Sequence, residues 1–279
     1  PNEVEYINAH GTGTPSNDIA ETLGVKKVFR DSWKSILMSG TKAAIGHTMG
    51  AAGAIECAIT ALALYKNIIP PTVNFSSARP GCDMNYVPNR SLNKPIKTVI
   101  SNSFAFGGNN STVVFKKVSV EKSIHQNASQ SDQERIVITG LGLVTPLGTD
   151  KNVIWSAIKN GVSTISDFKG VTDFQKRVVA RKRCYIENQI LNSKRLRYRR
   201  KMDRVSILSS IAALEAVNDA HLEIKPTEWE KIGVCFGTGT GSMETIEKFY
   251  RSVVLNGLNG GDAGLFPNTV LNAPVGYIA

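Results

Sequence analysis

The sequence predicts an α/β protein, and two observations carry that prediction. Short apolar runs alternate with longer stretches of helical character, and several of these runs end in glycine-rich turns. The composition is that of an ordinary globular protein, with 42% hydrophobic and 20% charged residues, which excludes the disordered and collagen-like classes. A length of 279 residues suits two domains or one large domain.

The first 118 residues supply most of the predicted elements. Four runs are typical of strands, at residues 4–8, 36–39, 98–101 and 112–116. Two helices are predicted, one at residues 17–30 beside capping residues and one at residues 51–66, which a Pro-Pro pair follows. The apolar part of the second helix contains Glu56 and is shorter than the roughly 20 residues of a bilayer span, so it is interpreted as a buried helix.

A polar segment at residues 119–134 is predicted to be a linker. After it we expect a strand at residues 135–140, helices at residues 150–160 and 203–220, and a strand at residues 231–237. The last strand leads into the sequence GTGTGS at residues 237–242, which lacks the Lys-Ser/Thr of a phosphate-binding P-loop. We interpret it as a tight structural turn.

The charge is unevenly distributed. The formal net charge is +10, and residues 166–205 hold 13 basic residues against four acidic ones. A concentrated positive face attracts acidic partners such as nucleic acid, a membrane surface or an acidic protein. The four cysteines have no paired spacing, so neither a zinc site nor a disulfide framework is indicated, and a reducing cytoplasm fits best. No export signal is expected either, because the chain does not open on a charged segment followed by an apolar one.

Three motifs in the first part of the chain place polar groups or glycine turns at the ends of predicted elements. They are HGTGT at residues 10–14, GTKAAIGH at residues 40–47 and NSFAFGG at residues 102–108. In this order and spacing they resemble the C-terminal half of the beta-ketoacyl-acyl-carrier-protein synthases, elongating condensing enzymes of the thiolase superfamily. The match continues through PPTVN at residues 70–74 and GCD at residues 81–83.

The rest of the chain resembles the N-terminal half of the same family. The motifs that carry this likeness are VITGLG at residues 137–142, RKMD at residues 200–203, GTGTG at residues 237–241 and FPNTV at residues 266–270. The resemblance implies a thiolase-like fold with layers in the order α/β/α/β/α, incomplete in this chain. It also implies three segments: the C-terminal half of one synthase unit at residues 1–118, the linker, and the N-terminal half of a second unit at residues 135–279.

The C-terminal half therefore comes first. Two tandem synthase units explain this order better than a circular permutation, which should retain every part of the enzyme. The family's nucleophilic cysteine stands in a Thr-Ala-Cys context, and no cysteine here has that context, so Cys57, Cys82, Cys184 and Cys235 are interpreted as structural.

The resemblance assigns roles to the motif residues. His10 and His47 would donate hydrogen bonds to the oxygen of a malonyl thioester as it loses carbon dioxide, and Lys42 would supply a fixed positive charge. Glu21 matches the family's acidic partner of that lysine. Phe106 corresponds to a gating aromatic residue whose loop Gly107 and Gly108 would let move, whereas Phe104 is interpreted as plain core packing.

The likeness also names partners. Acyl carrier proteins are acidic and hold their substrate on a phosphopantetheine arm, and Arg197, Arg200 and Lys201 fall where the family's docking helix is basic. Nucleic-acid binding is the weaker alternative, since no stacking aromatics or reading helix accompany the charge. The family is usually dimeric, so we expect a homodimer or a heterodimer of a synthase with a chain-length factor. Neither a metal nor a separate cofactor is expected.

Three other interpretations stay open. A thiolase would carry a second cysteine where this chain has FAFGG at residues 104–108, so a two-histidine decarboxylating synthase fits better. A non-catalytic partner subunit of the chain-length-factor type, and an inactive piece whose half-units lack their complements, are the alternatives from other classes. The residues do not distinguish fatty acid from polyketide synthesis.

Overall fold

The computed structural model describes residues 1–105, 108–117, 136–167, 182–187, 196 and 199–279. The chain divides into two compact units. Unit 1 comprises Pro1–His47, Ala52–Ile138 and Trp155–Cys184, and unit 2 comprises Thr48–Ala51, Thr139–Ile154 and Tyr185–Ala279. The linker predicted at residues 119–134 lies outside the described residues.

Unit 1 is built on a four-stranded mixed sheet. Its strands are β1 (Tyr6–Asn8), β2 (Leu37–Ser39), β5 (Thr98–Phe104) and β6 (Asn110–Lys116), in the order β2-β1-β5-β6. Strand β1 is parallel to both β2 and β5, whereas β6 is antiparallel to β5. The described residues of this unit also form two short antiparallel pairs, β3 (Ile68–Ile69) with β4 (Leu92–Asn93) and β7 (Ser166–Asp167) with β8 (Lys182–Arg183).

Three helices of unit 1 are α1 (Pro15–Phe29), α2 (Lys42–Ile45) and α3 (Ala52–Lys66). Helix α1 begins at Thr14, whose hydroxyl accepts the N–H of Asn17, and has a proline in its first turn, where a missing N–H costs nothing. Its inner face buries Val25 and Phe29 against the sheet core around Ile7. Each such side chain contributes about 1.5–3 kcal/mol to stability when fully buried.

Helix α3 packs on β5 through small and aliphatic side chains. Ile59 and Ala63 are fully buried, which is the outcome predicted for a core helix. Within the described part of the chain, one segment, Met49–Lys66, is long and apolar enough by composition to cross a membrane, and half of it is buried inside the protein.

Unit 2 contains α5 (Arg204–Asp219), α6 (Met243–Asn256), α7 (Ala273–Ile278) and the start of α4 (Lys151–Lys159). Helix α5 begins at Asp203, whose carboxylate accepts the N–H groups of Val205 and Ser206.

Short 3-10 helices lie at Arg30–Ser35, Met49–Ala51, Arg199–Lys201, Pro226–Lys231, Leu258–Gly260 and Phe266–Asn268.

The backbone of residues 140–142 runs along a row of small residues on α5. A Cβ atom at Gly140 would lie 2.2 Å from the carbonyl oxygen of Ala216, and one at Gly142 would lie 1.8 Å from that of Ala212. No side chain fits between these two backbones. The glycines of the VITGLG motif are therefore required for this packing.

The α/β class and the four strands and two helices predicted in residues 1–118 are confirmed, with ends shifted by up to three residues. Helices at residues 150–160 and 203–220 are also confirmed. The strands predicted at residues 135–140 and 231–237 are wrong: residues 136–140 and 232–237 are not paired in any sheet, and Lys231 ends a 3-10 helix. A strand needs a neighbour for its backbone hydrogen bonds, and the described residues pair none with either segment.

Candidate active site

Three predicted catalytic residues come together in unit 1. His10 follows β1, Lys42 opens α2, and His47 lies two residues beyond the end of that helix. The imidazole centroids of His10 and His47 are 5.7 Å apart, and the rings are nearly perpendicular at 83°. His10 is half-buried and His47 is exposed. The parallel strands β1 and β2 place these loops at one edge of the sheet, where α/β proteins put functional groups.

Glu21 fixes the turn that carries His10. Its carboxylate accepts the backbone N–H of His10 at 2.9 Å and that of Gly11 at 3.0 Å, which are charge-assisted bonds to a buried group. Gly11 has a positive φ of 47°, and a Cβ atom there would lie 3.2 Å from the Cα of Gly40. Glycine at position 11 thus lets the loops after β1 and β2 approach each other closely.

The expectation that Glu21 pairs with Lys42 is wrong. The Nζ of Lys42 lies 2.6 Å from Oε1 of Glu56 on α3, and it also donates to the carbonyl oxygen of His10 at 2.6 Å. Glu21 is engaged with the two backbone N–H groups of the His10 turn instead. The signal for Glu56 in the sequence is a single carboxylate inside an otherwise apolar helix.

Burial shifts the pKa values of the carboxyl group and of both imidazoles in the site. Burial raises the pKa of Glu56 to about 7, and the adjacent Lys42 ammonium acts in the opposite direction. Partial burial, followed by the charges of Lys42 and His47, lowers the pKa of His10 to about 4. The pKa of His47 is lowered by the same desolvation and by Lys42. Both imidazoles are therefore neutral at pH 7, and each retains one N–H that can donate.

The buried side-chain amide of Asn8 holds the helix that carries Glu56. The Nδ2 of Asn8 donates to the backbone carbonyl of Glu56 at 3.1 Å and to Oγ1 of Thr60 at 2.9 Å. Thr41 donates to Oδ1 of Asn8 at 3.4 Å. These bonds tie the end of β1 to α3 and so hold Glu56 in register with Lys42.

The NSFAFGG loop is described in part. Phe104, interpreted from the sequence as core packing, is half-buried with its ring centroid 5.6 Å from that of His10. Phe106 and Gly107 lie outside the described residues. Gly108 has a φ of 81°, in the left-handed region that favours glycine.

A cleft of about 760 Å³ opens beside Lys42 and His47. Arg79 also lines this cleft; its Nε donates to Asp18 at 3.0 Å and its Nη2 donates to the carbonyl of Gly13 at 3.0 Å. The volume suits a small organic substrate. Within the described residues no group of three or more His, Cys, Asp and Glu side chains could hold a metal ion.

The residues predicted for carrier-protein docking belong to the other unit. Arg200 and Lys201 are exposed on a 3-10 helix of unit 2, where the carbonyl of Lys201 accepts from Asn268 and Tyr277. Arg197 lies outside the described residues, as do the basic positions at 169–181, 194 and 195.

Comparison with known families gives two matches on this chain. The model for the C-terminal domain of beta-ketoacyl synthases matches residues 1–76, and the model for the N-terminal domain of the same enzymes matches residues 133–270. Their order along the chain, C-terminal domain first, is the one that the motifs predict.

Individual relatives match a shorter part. The 3-oxoacyl-acyl-carrier-protein synthase 2 of Coxiella burnetii is 48% identical over 118 residues, which are 42% of this chain and 28% of that protein. Nodulation protein E of Rhizobium meliloti is 40% identical over 116 residues, 42% of this chain and 29% of that protein. A solved complex of a type II polyketide acyl-carrier protein with its ketosynthase is 38% identical, with a TM-score of 0.42, and covers 43% of this chain and 29% of that chain. The chain thus spans less than a third of the length of these relatives.

Proposed function

The chain belongs to the beta-ketoacyl synthase family, and on that premise we propose that unit 1 carries the decarboxylating half of a synthase active site. The reaction is the decarboxylative Claisen condensation of a malonyl thioester, held on the phosphopantetheine of an acyl carrier protein, with an acyl group held on an enzyme cysteine. The observation that supports this best is the pair of neutral imidazoles at 5.7 Å beside a buried lysine.

Each residue has a defined task in this proposal. The bond between the malonyl α-carbon and its carboxylate breaks, carbon dioxide leaves, and the electron pair moves to the thioester oxygen as an enolate. An oxygen placed between the rings accepts one N–H from His10 and one from His47. Preorganised donors of this kind contribute about 3–4 kcal/mol each to transition-state stabilisation. The enolate carbon then attacks the acyl thioester, and the cysteine thiolate leaves.

Lys42 and Glu56 hold the donors in place. The ammonium anchors the carbonyl of His10, so it positions that residue directly. Its positive charge also disfavours protonation of both imidazoles, which keeps them in the donor form that the enolate needs. Phe106, Gly107 and Gly108 would form the gate to the acyl group.

The nucleophile is proposed to lie outside this sequence. A reactive cysteine needs a lowered pKa in an electropositive site. Burial instead raises the pKa of Cys57 inside α3, and Cys82 is buried at 5% exposure. No cysteine here stands in a Thr-Ala-Cys context. The domain proposal follows from the two family matches: residues 1–118 end one synthase unit, and residues 135–279 begin another.

The proposed partner is an acyl carrier protein, docked by Arg197, Arg200 and Lys201. The name of the Coxiella relative, which specifies an acyl-carrier-protein substrate, supports this choice. A dimer, either of two synthases or of a synthase with a chain-length factor, and a cytoplasmic location complete the proposal. Phosphopantetheine belongs to the substrate, so no separate cofactor is required.

Carbon dioxide release from malonyl-pantetheine by the full chain tests the function. We expect slow release by the unmodified chain and none by His10→Ala or His47→Ala, with Ser35→Ala, at an exposed site elsewhere, as the matched control. In a complete synthase the same two variants should still acylate the cysteine. Undiminished decarboxylation in either histidine variant would show that the roles are wrongly assigned. Binding of carrier protein without decarboxylation would instead favour the chain-length-factor alternative.

A further inference from the structure

The helix that carries Lys42 is too short to satisfy its own backbone. Helix α2 has four residues, and the N–H of Gly46 caps it by donating to the carbonyl of Lys42 at 2.8 Å. The next carbonyls, those of Ala43 and Ala44, therefore need partners from elsewhere in the fold. Both residues lie between Lys42 and His47, so whatever binds their carbonyls also sets the spacing of the site.

The partners come from far along the sequence. The N–H of Thr164 donates to the carbonyl of Ala44 at 2.9 Å, and the Thr164 hydroxyl lies 3.0 Å from the same oxygen. The hydroxyl of Ser163 donates to the carbonyl of Ala43 at 3.1 Å. The side-chain amide of Asn74 donates to the carbonyl of Ala43 at 3.3 Å and to Oγ of Ser163 at 3.2 Å.

The segment around these residues is itself part of unit 1 and contacts the rest of that unit before and after Ser163 and Thr164. Before it, a Cβ atom at Gly161 would lie 3.1 Å from the carbonyl of Asn89, so the backbones are in close contact. After it, Ile165 lines the cleft beside His47. Cys184 lies against Gly46, where a Cβ atom would come within 2.9 Å of its sulfur.

These contacts join two different family domains. Helix α2 lies in the match to the C-terminal domain, at residues 1–76, whereas Ser163 and Thr164 lie in the match to the N-terminal domain, at residues 133–270. We propose that Ser163 and Thr164 are positioning residues of the His10–Lys42–His47 site, so that a segment of the second domain completes the decarboxylation site of the first within one chain.

The catalytic meaning of this inference rests on the proposed function. If the carbonyls of Ala43 and Ala44 lose the two hydroxyl donors, they keep only the N–H donors of Asn74 and Thr164, so α2 loosens and the imidazole of His47 moves relative to Lys42 and His10. A displacement of about 1 Å at a reacting centre can lower a rate by about a hundredfold. The two hydroxyls bond the backbone carbonyls of α2, so their effect on the histidines passes through that helix.

The test compares four forms of the full chain: unmodified, Ser163→Ala/Thr164→Val, Thr164→Ser and Ser35→Ala. Thr164→Val removes the hydroxyl but keeps the backbone bond to Ala44 and the side-chain volume. Thr164→Ser keeps the hydroxyl. The first readout is titration of the His47 ring by NMR, which does not depend on catalysis. We expect the pKa of His47 to rise towards 6.5 in the double variant and to stay unchanged in the other two.

The second readout is decarboxylation of malonyl-pantetheine, in which kcat should fall about tenfold or more in the double variant while KM changes little. A His47 titration that is the same in all four forms overturns the inference, and so does a shift that Thr164→Ser shares with the double variant. Should the double variant not fold, Thr164→Val alone is judged by the same titration. An unmodified chain without decarboxylation would refute the proposed function and leave the titration to decide this inference.

Discussion

The ammonium of Lys42 and the carboxylate of Glu56 form an ion pair at 2.6 Å in which both side chains are buried, at 5% and 1% exposure. Ion pairs in proteins are mostly exposed and contribute little to stability. This pair differs because both side chains are removed from water, so neither charge is solvated when the bond breaks. It is therefore both the structural link between two helices and the electrostatic source for the two histidines.

Removing one partner of this pair should destabilise the protein strongly. Glu56→Ala leaves a buried ammonium without its counter-charge, and we expect the free energy of unfolding to fall by about 3–5 kcal/mol. The measurement is urea unfolding of the full chain. The matched control is Lys248→Ala, which removes an exposed i,i+4 partner of Glu244 and should change stability by less than about 0.5 kcal/mol. A loss of similar size in both variants would contradict the buried role of Glu56.

The pKa of His10 predicts a pH effect with a definite sign. The folded value is about 4 and the ordinary value is 6.5, so the unfolded chain binds more protons between these limits. The contribution of His10 to stability is therefore intact above pH 6.5 and is lost as the pH falls towards 4. We expect His10→Gln to reduce the loss of stability between pH 6.5 and 4.5, measured by urea unfolding at each pH. An unchanged pH profile, or an NMR titration of His10 at 6.5 or above, would rule this out.

Gly142 should tolerate no side chain. The Cβ atom of Gly142→Ala would lie 1.8 Å from the carbonyl oxygen of Ala212, so the backbone of residues 140–142 must move away from α5. Overpacking of this kind costs about 1–3 kcal/mol or more. Thermal unfolding followed by circular dichroism measures the loss. Gly233→Ala, with open space around its Cβ position, is the control and should melt near the unmodified chain.

Residues 136–138 should promote association between chains. Ile136 is 98% exposed, Val137 64% and Ile138 55%, and β-branched residues with unpaired backbone are prone to form strands with other chains. We expect Val137→Lys to reduce concentration-dependent association, measured by light scattering. Val153→Lys, at a residue 58% exposed on α4, should leave association unchanged. Equal scattering by the unmodified chain and the Val137 variant would refute the prediction.

The same exposed segment shows where sequence patterns stop predicting structure. Residues 4–8 and 135–140 have similar apolar patterns, yet only the first contains a strand, because β1 has β2 and β5 as neighbours. Pairing depends on which chain segment lies alongside, and a local pattern does not encode this. Helix α3 was predictable, since its apolar residues suffice to bury it wherever the sheet lies.

In the candidate site, too, some residues were predictable from the sequence and one contact was not. His10, Lys42 and His47 stand in motifs that identify them directly, and the structure brings them together. The partner of Lys42 was not predictable, because the choice between Glu21 and Glu56 depends on how α1 and α3 pack. In the fold, Glu21 accepts two backbone N–H groups, and Glu56 on α3 lies against the ammonium of the lysine.

The two bonds of the Lys42 ammonium have a consequence for folding. They reach acceptors 32 and 14 residues away in sequence, at the end of β1 and within α3. Contacts this distant form late, because loop closure must precede them. The amide hydrogens of His10 and Gly11 should then exchange with solvent only when the whole unit opens. A nascent or partly folded chain accordingly presents no organised histidine pair, since the bonds of Lys42 that hold the turn of His10 are not yet made.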